Sequence, residues 1–359
     1  MLKTITSEEL DNLALGAWIL GTGGGGNPEP GRLIMQQLYS EGFRVQLVDT
    51  DAVGSGSLIA TVASQGAPLV SQERFKDPKV IARSVEVLAA HLGVRFTHLM
   101  SLEVGGSNAF YPLMAAAELS YPVIDADWMG RAYPELQMAG MCLSDIPPYP
   151  LSSVDPRGLE TLITSATDWK RLETISRKIC SAYGSTASIC LPPSNGNQVK
   201  KNSVPGTISF AIEIGATIKD AQRKKDDPIE ALLKLTGGML LFRGKITDVD
   251  RQPSEGFLRG SLSITGTSGF EHQSLQIEFQ NEWLLAQSDG KPVAMSPDLI
   301  CLLDEVSGEA IGTEAARYGQ RVCAVVLPPP EIFTTAEGLA LVGPRAFGFP
   351  LDYTPAFSI

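Results

Sequence analysis

The stretch that decides the fold is FTHLMSLEVGGSNAFYPLMAAAELSYPVIDA, residues 96–126. An apolar run ends at Glu103, a Gly-Gly-Ser-Asn turn follows, and residues 109–119 then carry apolar side chains at helical spacing before a second apolar run over 121–126. A strand, a turn, a helix and a strand in this order normally give two parallel strands joined by a right-handed crossover. The sequence therefore predicts an α/β domain with a partly parallel sheet.

Towards the N-terminus, a capping box formed by Thr6 and Glu9 predicts a helix that ends at the glycine-rich segment 21–28. Periodicity predicts four further elements before the crossover unit. They are a helix over 29–39, strands over 43–53 and 57–63, and a helix over 79–92.

Towards the C-terminus, a proline-rich connection and a hairpin over 151–163 lead to a domain boundary that we place near residue 166. Helical spacing follows, and from residue 239 the pattern becomes rich in strands. The predicted helices are 168–183, 207–224 and 228–235, and the predicted strands are 240–249, 257–264, 275–279, 283–287 and 292–295. Since 359 residues exceed what one core usually serves, we predict two domains. Residues 1–166 form the α/β domain with the site, and residues 167–359 form an α+β, sheet-rich domain.

Composition excludes several classes of function. The net charge of −11 repels the phosphate backbone of nucleic acids and anionic lipids alike. The N-terminus lacks the basic and then apolar pattern of a secretory signal, and the apolar run 13–21 is shorter than the roughly 20 residues that span a bilayer. Five widely spaced cysteines without a Cys-x-x-Cys motif fit a reducing compartment. We expect a cytoplasmic homo-oligomer that binds neither nucleic acid nor membrane.

The glycine-rich segment has the spacing G-x-G-x-x-G, but the dinucleotide fingerprint needs a strand before its glycines and here a helix precedes them. Residues 238–245 also depart from a phosphate-binding loop in glycine spacing. No nucleotide cofactor is therefore expected. Two interpretations stay open for the loop: a plain helix-helix turn, or backbone N–H groups that hold an anion or a polar heterocycle. The residues concerned are Gly23, Gly24, Gly25, Gly26 and Asn27.

Acidic side chains are the strongest candidates for chemistry, because three histidines in the whole chain make a histidine-based triad hard to build. Asp125 and Asp127 end a strand and point to one face, about 6–7 Å apart along the backbone. Parallel strands finish at the same sheet edge, where open α/β proteins bind ligands. The predicted cluster comprises Glu103, Asn108, Asp125, Asp127, Arg131 and Glu135. The alternative is a set of helix caps and turn carboxylates with an ordinary arginine ion pair.

Several long motifs resemble one bacterial family, long described as a domain of unknown function and now called S-methyl-thiohydantoin desulfurase. They are LGTGGGGN (20–27), EVGGSN (103–108), DADWMGRAYPELQM (125–138), LFRGK (241–245), NE (281–282), SPDLI (296–300) and VGPRAFG (342–348). Such proteins are often encoded beside, or fused to, hydantoinase and oxoprolinase proteins. The resemblance implies removal of sulfur from C2 of a thiohydantoin-type ring, which leaves a hydantoin for a partner enzyme to open.

Hydrolysis at C2 needs an activated water, stabilised charge at the ring nitrogens and an acid for the leaving sulfur. We expect Asp125 and Asp127 to act as base and ring N–H acceptor, or jointly as ligands of a divalent metal, with Mn²⁺ or Mg²⁺ favoured over Zn²⁺. Glu103 would be a further metal ligand or the acid. A water-only mechanism stays open. Arg131 would anchor a substrate carboxylate or carbonyl, Asn108 and the Gly23–Gly26 amides would donate to a ring oxygen, and Glu135 would complete the substrate site.

Two other functions stay open for this sequence. The chain could be a non-catalytic partner that binds a hydantoin-like ring and regulates a hydantoinase- or oxoprolinase-type amidohydrolase. It could also be an amidohydrolase that opens hydantoin itself. Release of sulfur separates the desulfurase from both.

Overall fold

A mixed sheet and an antiparallel sheet organise the chain in the computed structural model, which describes residues 2–66, 76–254 and 257–357. The strands of the first sheet are β1 (Leu2–Thr4), β2 (Gln46–Val48), β3 (Leu58–Gly66), β4 (His98–Ser101), β5 (Val123–Asp127), β6 (Leu151–Val154), β7 (Glu160–Ile163), β8 (Thr186–Cys190), β9 (Ser194–Asn195) and β10 (Val204–Pro205). Its main order is β1-β2-β5-β4-β3-β8-β6-β7, with β10 beside β5 and β9 beside β3. Strands β2, β5, β4 and β3 run parallel, as the crossover unit predicts.

The second sheet is antiparallel, in the order β15-β14-β13-β12-β11-β17-β16. Its strands are β11 (Met239–Ser254), β12 (Phe257–Gly266), β13 (Ser274–Gln280), β14 (Glu282–Ser288), β15 (Lys291–Met295), β16 (Leu299–Asp304) and β17 (Arg321–Leu327). The predicted fold class is confirmed: an α/β region with parallel strands is followed by a region rich in antiparallel strands.

Helices cover the sheets. They are α1 (Ser7–Leu20), α2 (Glu29–Ser40), α3 (Pro78–Leu92), α4 (Tyr111–Leu119), α5 (Trp169–Ala182), α6 (Gly196–Asn202), α7 (Thr207–Lys224), α8 (Pro228–Thr236) and α9 (Ala336–Val342). The predicted capping box is present at α1, where the Glu9 amide donates to the Thr6 hydroxyl and the Thr6 amide donates to the Glu9 carboxylate. Among the described residues, no helix combines the length and the apolar character needed to cross a membrane.

Helices α1 and α7 cross at very short range, although the predicted boundary near residue 166 lies between them. A Cβ on Gly16 would lie 1.8 Å from the Ala211 carbonyl oxygen, and one on Gly215 would lie 1.9 Å from the Asn12 oxygen. Glycine at both positions lets the backbones meet. Strands β8, β9 and β10 also hydrogen-bond into the first sheet. The domain boundary near residue 166 stays a prediction. Strands β8, β9 and β10, which follow that residue in the sequence, belong to the first sheet.

Some predicted elements differ from the structure. Of the strand predicted over 43–53, only β2 forms a strand, and a 3₁₀ helix over Thr50–Ala52 follows it. Strands β8, β16 and β17 were not predicted. Most or all of their residues are buried, so the alternation of apolar and polar residues that marks a half-exposed strand is missing from them.

Candidate functional site

A cavity of about 100 Å³ lies where β14 of the second sheet meets the turns after β4 and α1. This volume accommodates several water molecules or a small ring. Its polar lining is dominated by four acids and three amides: Glu103, Glu135, Glu173, Glu282, Gln65, Asn108 and Asn281. Arg177, Ser64, Ser107 and Tyr133 complete the polar lining. The cavity therefore concentrates hydrogen-bond acceptors in a largely buried place.

Glu103 lies in the turn after β4 and is 6% exposed. The Asn108 side-chain amide donates to Glu103 Oε1 at 2.5 Å, and the Tyr133 backbone amide donates to Oε2 at 3.1 Å. Burial raises the pKa of the Glu103 carboxyl to about 8, the charge of Asp127 adds to this rise, and the two N–H donors oppose it. Glu103 therefore titrates near neutral pH, as a general base or acid requires.

Glu282 enters the same cavity from β14 and is 2% exposed. Burial raises the pKa of Glu282 well above its ordinary value, and the nearby charge of Glu103 raises it further. Its Oε2 accepts no hydrogen bond from the residues that the structure describes. Glu103 accepts two N–H donors, which favour its charged form, whereas Glu282 Oε2 accepts none, so the surroundings favour ionisation of Glu103 over ionisation of Glu282.

Glu173 and Arg177 form an ion pair on α5 at another side of the cavity. The Leu136 amide also donates to Glu173, at 3.2 Å, and Arg177 Nη2 donates to the Pro134 carbonyl at 3.0 Å. The Arg177 guanidinium lies 4.2 Å from the centre of the Phe257 ring. This pair ties α5 to the segment after β5 and to β12.

The glycine loop after α1 packs closely against β14. Gly25 and Gly26 line the cavity, whereas a Cβ on Gly24 would lie 2.0 Å from Glu282 Oε1 and one on Gly23 would lie 2.5 Å from the Trp283 ring nitrogen. The Trp283 amide donates to the Thr22 carbonyl at 2.8 Å. Asn27 lies outside the cavity lining, and its side chain accepts from the Glu29 amide at the start of α2.

Replacing Gly25 by Ala is expected to lower the free energy of unfolding by more than the ordinary cost of a positive φ. Gly25 has φ +72°, and its new Cβ would lie 2.4 Å from the Gly105 carbonyl oxygen. The matched control is Gly93→Ala, with φ +66° and nothing within 4 Å, which should cost about 1–2 kcal/mol. Urea denaturation of both variants measures the difference. Equal losses would contradict the close packing of the two glycine turns.

Asp125 and Asp127 do not line the cavity. Asp125 Oδ1 accepts from the Ile208 amide at 2.9 Å and the Ser209 amide at 3.0 Å, so this carboxylate caps the first turn of α7. Asp127 accepts from the Val104 amide at 2.6 Å and the Gly130 amide at 2.9 Å. Burial raises the pKa of Asp127 to about 7. Their catalytic roles stay predictions, and their hydrogen bonds match the capping alternative.

Arg131 is fully buried, and among the residues that the structure describes it donates only to neutral oxygen atoms. They are the Thr22 hydroxyl (2.6 Å) and the carbonyls of Asp298 (2.8 Å), Ala132 (3.1 Å) and Trp283 (3.2 Å). It does not line the cavity. Its guanidinium lies 4.8 Å from the centre of the Tyr133 ring. Arg131 therefore joins the glycine loop, β14 and the segment before β16. Its predicted role as a substrate anchor stays a prediction.

The carboxylates of the predicted metal site are not arranged to bind a metal ion together. Within the part of the chain that the structure describes, no three or more His, Cys, Asp or Glu side chains are grouped to hold a metal ion. Asp125 and Asp127 direct carboxylate oxygens at backbone amides, and Glu103 directs both of its own at N–H donors. We therefore derive no chemical step through a metal.

Of the site residues predicted from the sequence, the structure places Glu103, Asn108, Gly25, Gly26 and Glu135 in the cavity lining. It missed other residues of the lining: Gln65, Glu173, Arg177, Asn281 and Glu282. Residues 281 and 282 were part of a family-like motif, which was the available signal. Glu173 and Arg177 lie four apart on an amphipathic helix, where a surface ion pair is the ordinary interpretation.

The fold and the site define a class of protein. A mixed sheet of an α/β region adjoins an antiparallel sheet, and a small cavity between them holds a buried pair of glutamates. The chain belongs to the S-Me-THD-like family. The model of the N-terminal domain of that family matches residues 8–165, and the model of its C-terminal domain matches residues 167–356. The resemblance seen in the sequence is thereby confirmed.

A crystal structure of a protein from Chromobacterium violaceum is similar in fold, with a TM-score of 0.81 and 22% sequence identity. The alignment covers 99% of this chain and 100% of that one. No curated protein matches the chain.

Proposed function

We propose that this protein hydrolyses the C2–sulfur bond of a thiohydantoin or S-methyl-thiohydantoin-type ring and leaves a hydantoin. The observation that carries the proposal is the pair Glu103 and Glu282, two buried carboxyls with raised pKa values that face one cavity. Such a pair provides a base and an acid at the same pH. The family supports a thiohydantoin-related role.

In the proposed reaction, ionised Glu103 takes a proton from a water molecule that attacks C2. Protonated Glu282 donates its proton to the ring nitrogen of the C=N bond, which makes C2 more electrophilic and neutralises the charge that develops there. The tetrahedral intermediate then expels the sulfur as a thiolate, which takes the proton held by Glu103. The C2 hydroxyl gives its proton to the Glu282 carboxylate as the C2 carbonyl forms, and the ring nitrogen keeps the proton that it received. One water is consumed, and one thiol and one hydantoin are formed.

The rate of sulfur release is expected to rise with pH through about 8. Activity requires the ionised form of Glu103, whose pKa is raised to about 8, so kcat should fall about tenfold per pH unit below that value. Glu282 must keep its proton, and burial and the charge of Glu103 raise the pKa of its carboxyl, so activity should fall again at the pH where Glu282 ionises. A pH profile of kcat with S-methyl-thiohydantoin measures both limbs. A flat profile between pH 6 and 9 would contradict the assignment of the base.

One assay separates the candidate functions. Purified protein is incubated with hydantoin, 2-thiohydantoin and S-methyl-2-thiohydantoin, while free thiol or sulfide and ring mass are followed. The proposal predicts sulfur release with hydantoin as the product. Ring opening of hydantoin without sulfur release would indicate an amidohydrolase, and binding without turnover would indicate a regulatory partner.

The same assay tests the expected metal. Protein is treated with a chelator and then restored with Mn²⁺, Mg²⁺ or Zn²⁺. The glutamate pair predicts sulfur release in the presence of the chelator. Activity that disappears with the chelator and returns with Mn²⁺ would show instead that a metal is required, and the mechanism above would be wrong.

A further inference from the structure

Gln65, on β3, lines the cavity, and its side-chain oxygen has no hydrogen-bond partner among the described residues. The residue is 4% exposed and contributes to the cavity lining. Its Oε1 accepts no hydrogen bond from any residue that the structure describes. An amide oxygen left buried without a donor destabilises the fold, so such an atom in a side chain that lines a cavity indicates a missing donor.

The orientation of this amide is determined by its other end. Gln65 Nε2 donates to the Ser176 hydroxyl at 3.0 Å and to Glu173 Oε2 at 3.4 Å. Both acceptors lie on α5, so the nitrogen faces that helix and the oxygen faces away from it. The free acceptor is thus held in place before any ligand arrives.

Two of the side-chain donors of the lining are directed at other groups. Asn108 Nδ2 is bonded to Glu103, and Arg177 donates to Glu173 and to the Pro134 carbonyl. Arg177 is paired with Glu173, so the described residues of the lining offer no unpaired positive charge to a ligand carboxylate. The complementary ligand is a neutral ring that brings its own N–H groups.

We propose, on the basis of the function proposed above, that Gln65 Oε1 accepts a hydrogen bond from a ring N–H of the cyclic substrate. Gln65 is then a specificity-determining residue, which selects thiohydantoin-type rings whose recognised nitrogen carries no alkyl group. A ring methylated there cannot donate, leaves the amide oxygen unpaired and adds a methyl group in a cavity of about 100 Å³. Sites built around such a bond reject analogues that lack the donor.

The test uses binding, so that it does not depend on turnover. Isothermal titration calorimetry compares hydantoin, 1-methylhydantoin, 3-methylhydantoin and 1,3-dimethylhydantoin with the wild type, Gln65→Met and Asn12→Leu. Asn12 is the matched control, because it is 6% exposed, its Oδ1 lacks a partner and it lies outside the cavity lining. In the wild type, methylation at one nitrogen should raise Kd about tenfold or more. Gln65→Met should raise the Kd of hydantoin about tenfold and remove most of the effect of methylation, and Asn12→Leu should bind as the wild type does.

Two kinds of failure are distinguishable. Tight binding of hydantoin that is unchanged by methylation, or by Gln65→Met, would overturn the role of Gln65 and leave the desulfurase proposal intact. Absence of both binding and sulfur release for every ring tested would overturn the proposed function, and the role of Gln65 with it. If Gln65→Met does not fold, the methylation series on the wild type decides.

Discussion

Glu103→Gln is expected to lower kcat for sulfur release from S-methyl-thiohydantoin by about 10²–10⁴-fold, the usual contribution of a general base. The variant keeps the shape of the side chain and removes its ability to take a proton from water. One of the donors from Asn108 and Tyr133 loses its acceptor, so a stability loss of about 1–3 kcal/mol accompanies the change. Steady-state kinetics beside a thermal unfolding curve separate the two effects.

The matched control for this variant is Glu314→Gln. Glu314 is 7% exposed, burial raises its pKa, and it does not line the cavity. Its replacement should leave kcat close to that of the wild type. Asp127→Asn provides the opposing test: if that variant loses sulfur release while Glu103→Gln retains it, the aspartate predicted from the sequence is the base and our assignment is wrong.

Arg131→Met is expected to destabilise the protein by about 3 kcal/mol or more. The substitution leaves a buried hydroxyl and three carbonyl oxygens without the donor that now reaches them, at a place where three segments meet. Denaturation in urea measures the loss. Arg83→Met is the control, because Arg83 is half-exposed and its ion pairs with Glu86 and Glu160 should contribute only about 0–1 kcal/mol.

The two interpretations of Arg131 predict different results. If it joins segments of the chain, stability falls and the Kd of the surviving folded protein for hydantoin changes little. If it anchors the substrate, as the sequence suggested, hydantoin binding is lost and stability is kept. The structure favours the first outcome, since the guanidinium is fully buried, bonded to protein oxygens and outside the cavity lining.

The elements that could be predicted are those with strong local signals. The capping box at Thr6, the crossover unit over 96–126 and the antiparallel hairpins after residue 239 depend on residues close together in the chain. Strand β8 pairs with β3 across more than a hundred residues, and no local pattern announces such a partner. The same limit applied to the site: Glu103 was found because it ends a strand of the crossover unit, whereas Glu173 and Glu282 come from distant elements.

The sequence by itself determined the fold class and the family, and it named two carboxylates that line the cavity, Glu103 and Glu135. Helical and strand periodicity, turn residues and long motifs are properties of neighbouring residues, so they can be recognised without the structure. Only the tertiary structure decided which acids share the cavity. Asp125 and Asp127 are close together in the sequence, but their carboxylates accept hydrogen bonds from backbone amides of α7 and of two turns. Glu103 and Glu282 are 179 residues apart in the sequence. They line the same cavity because the segment after β4 lies near β14 in the folded chain. Burial and mutual repulsion raise a pKa only after folding has removed the water around both groups, so no reading of the linear chain reports it.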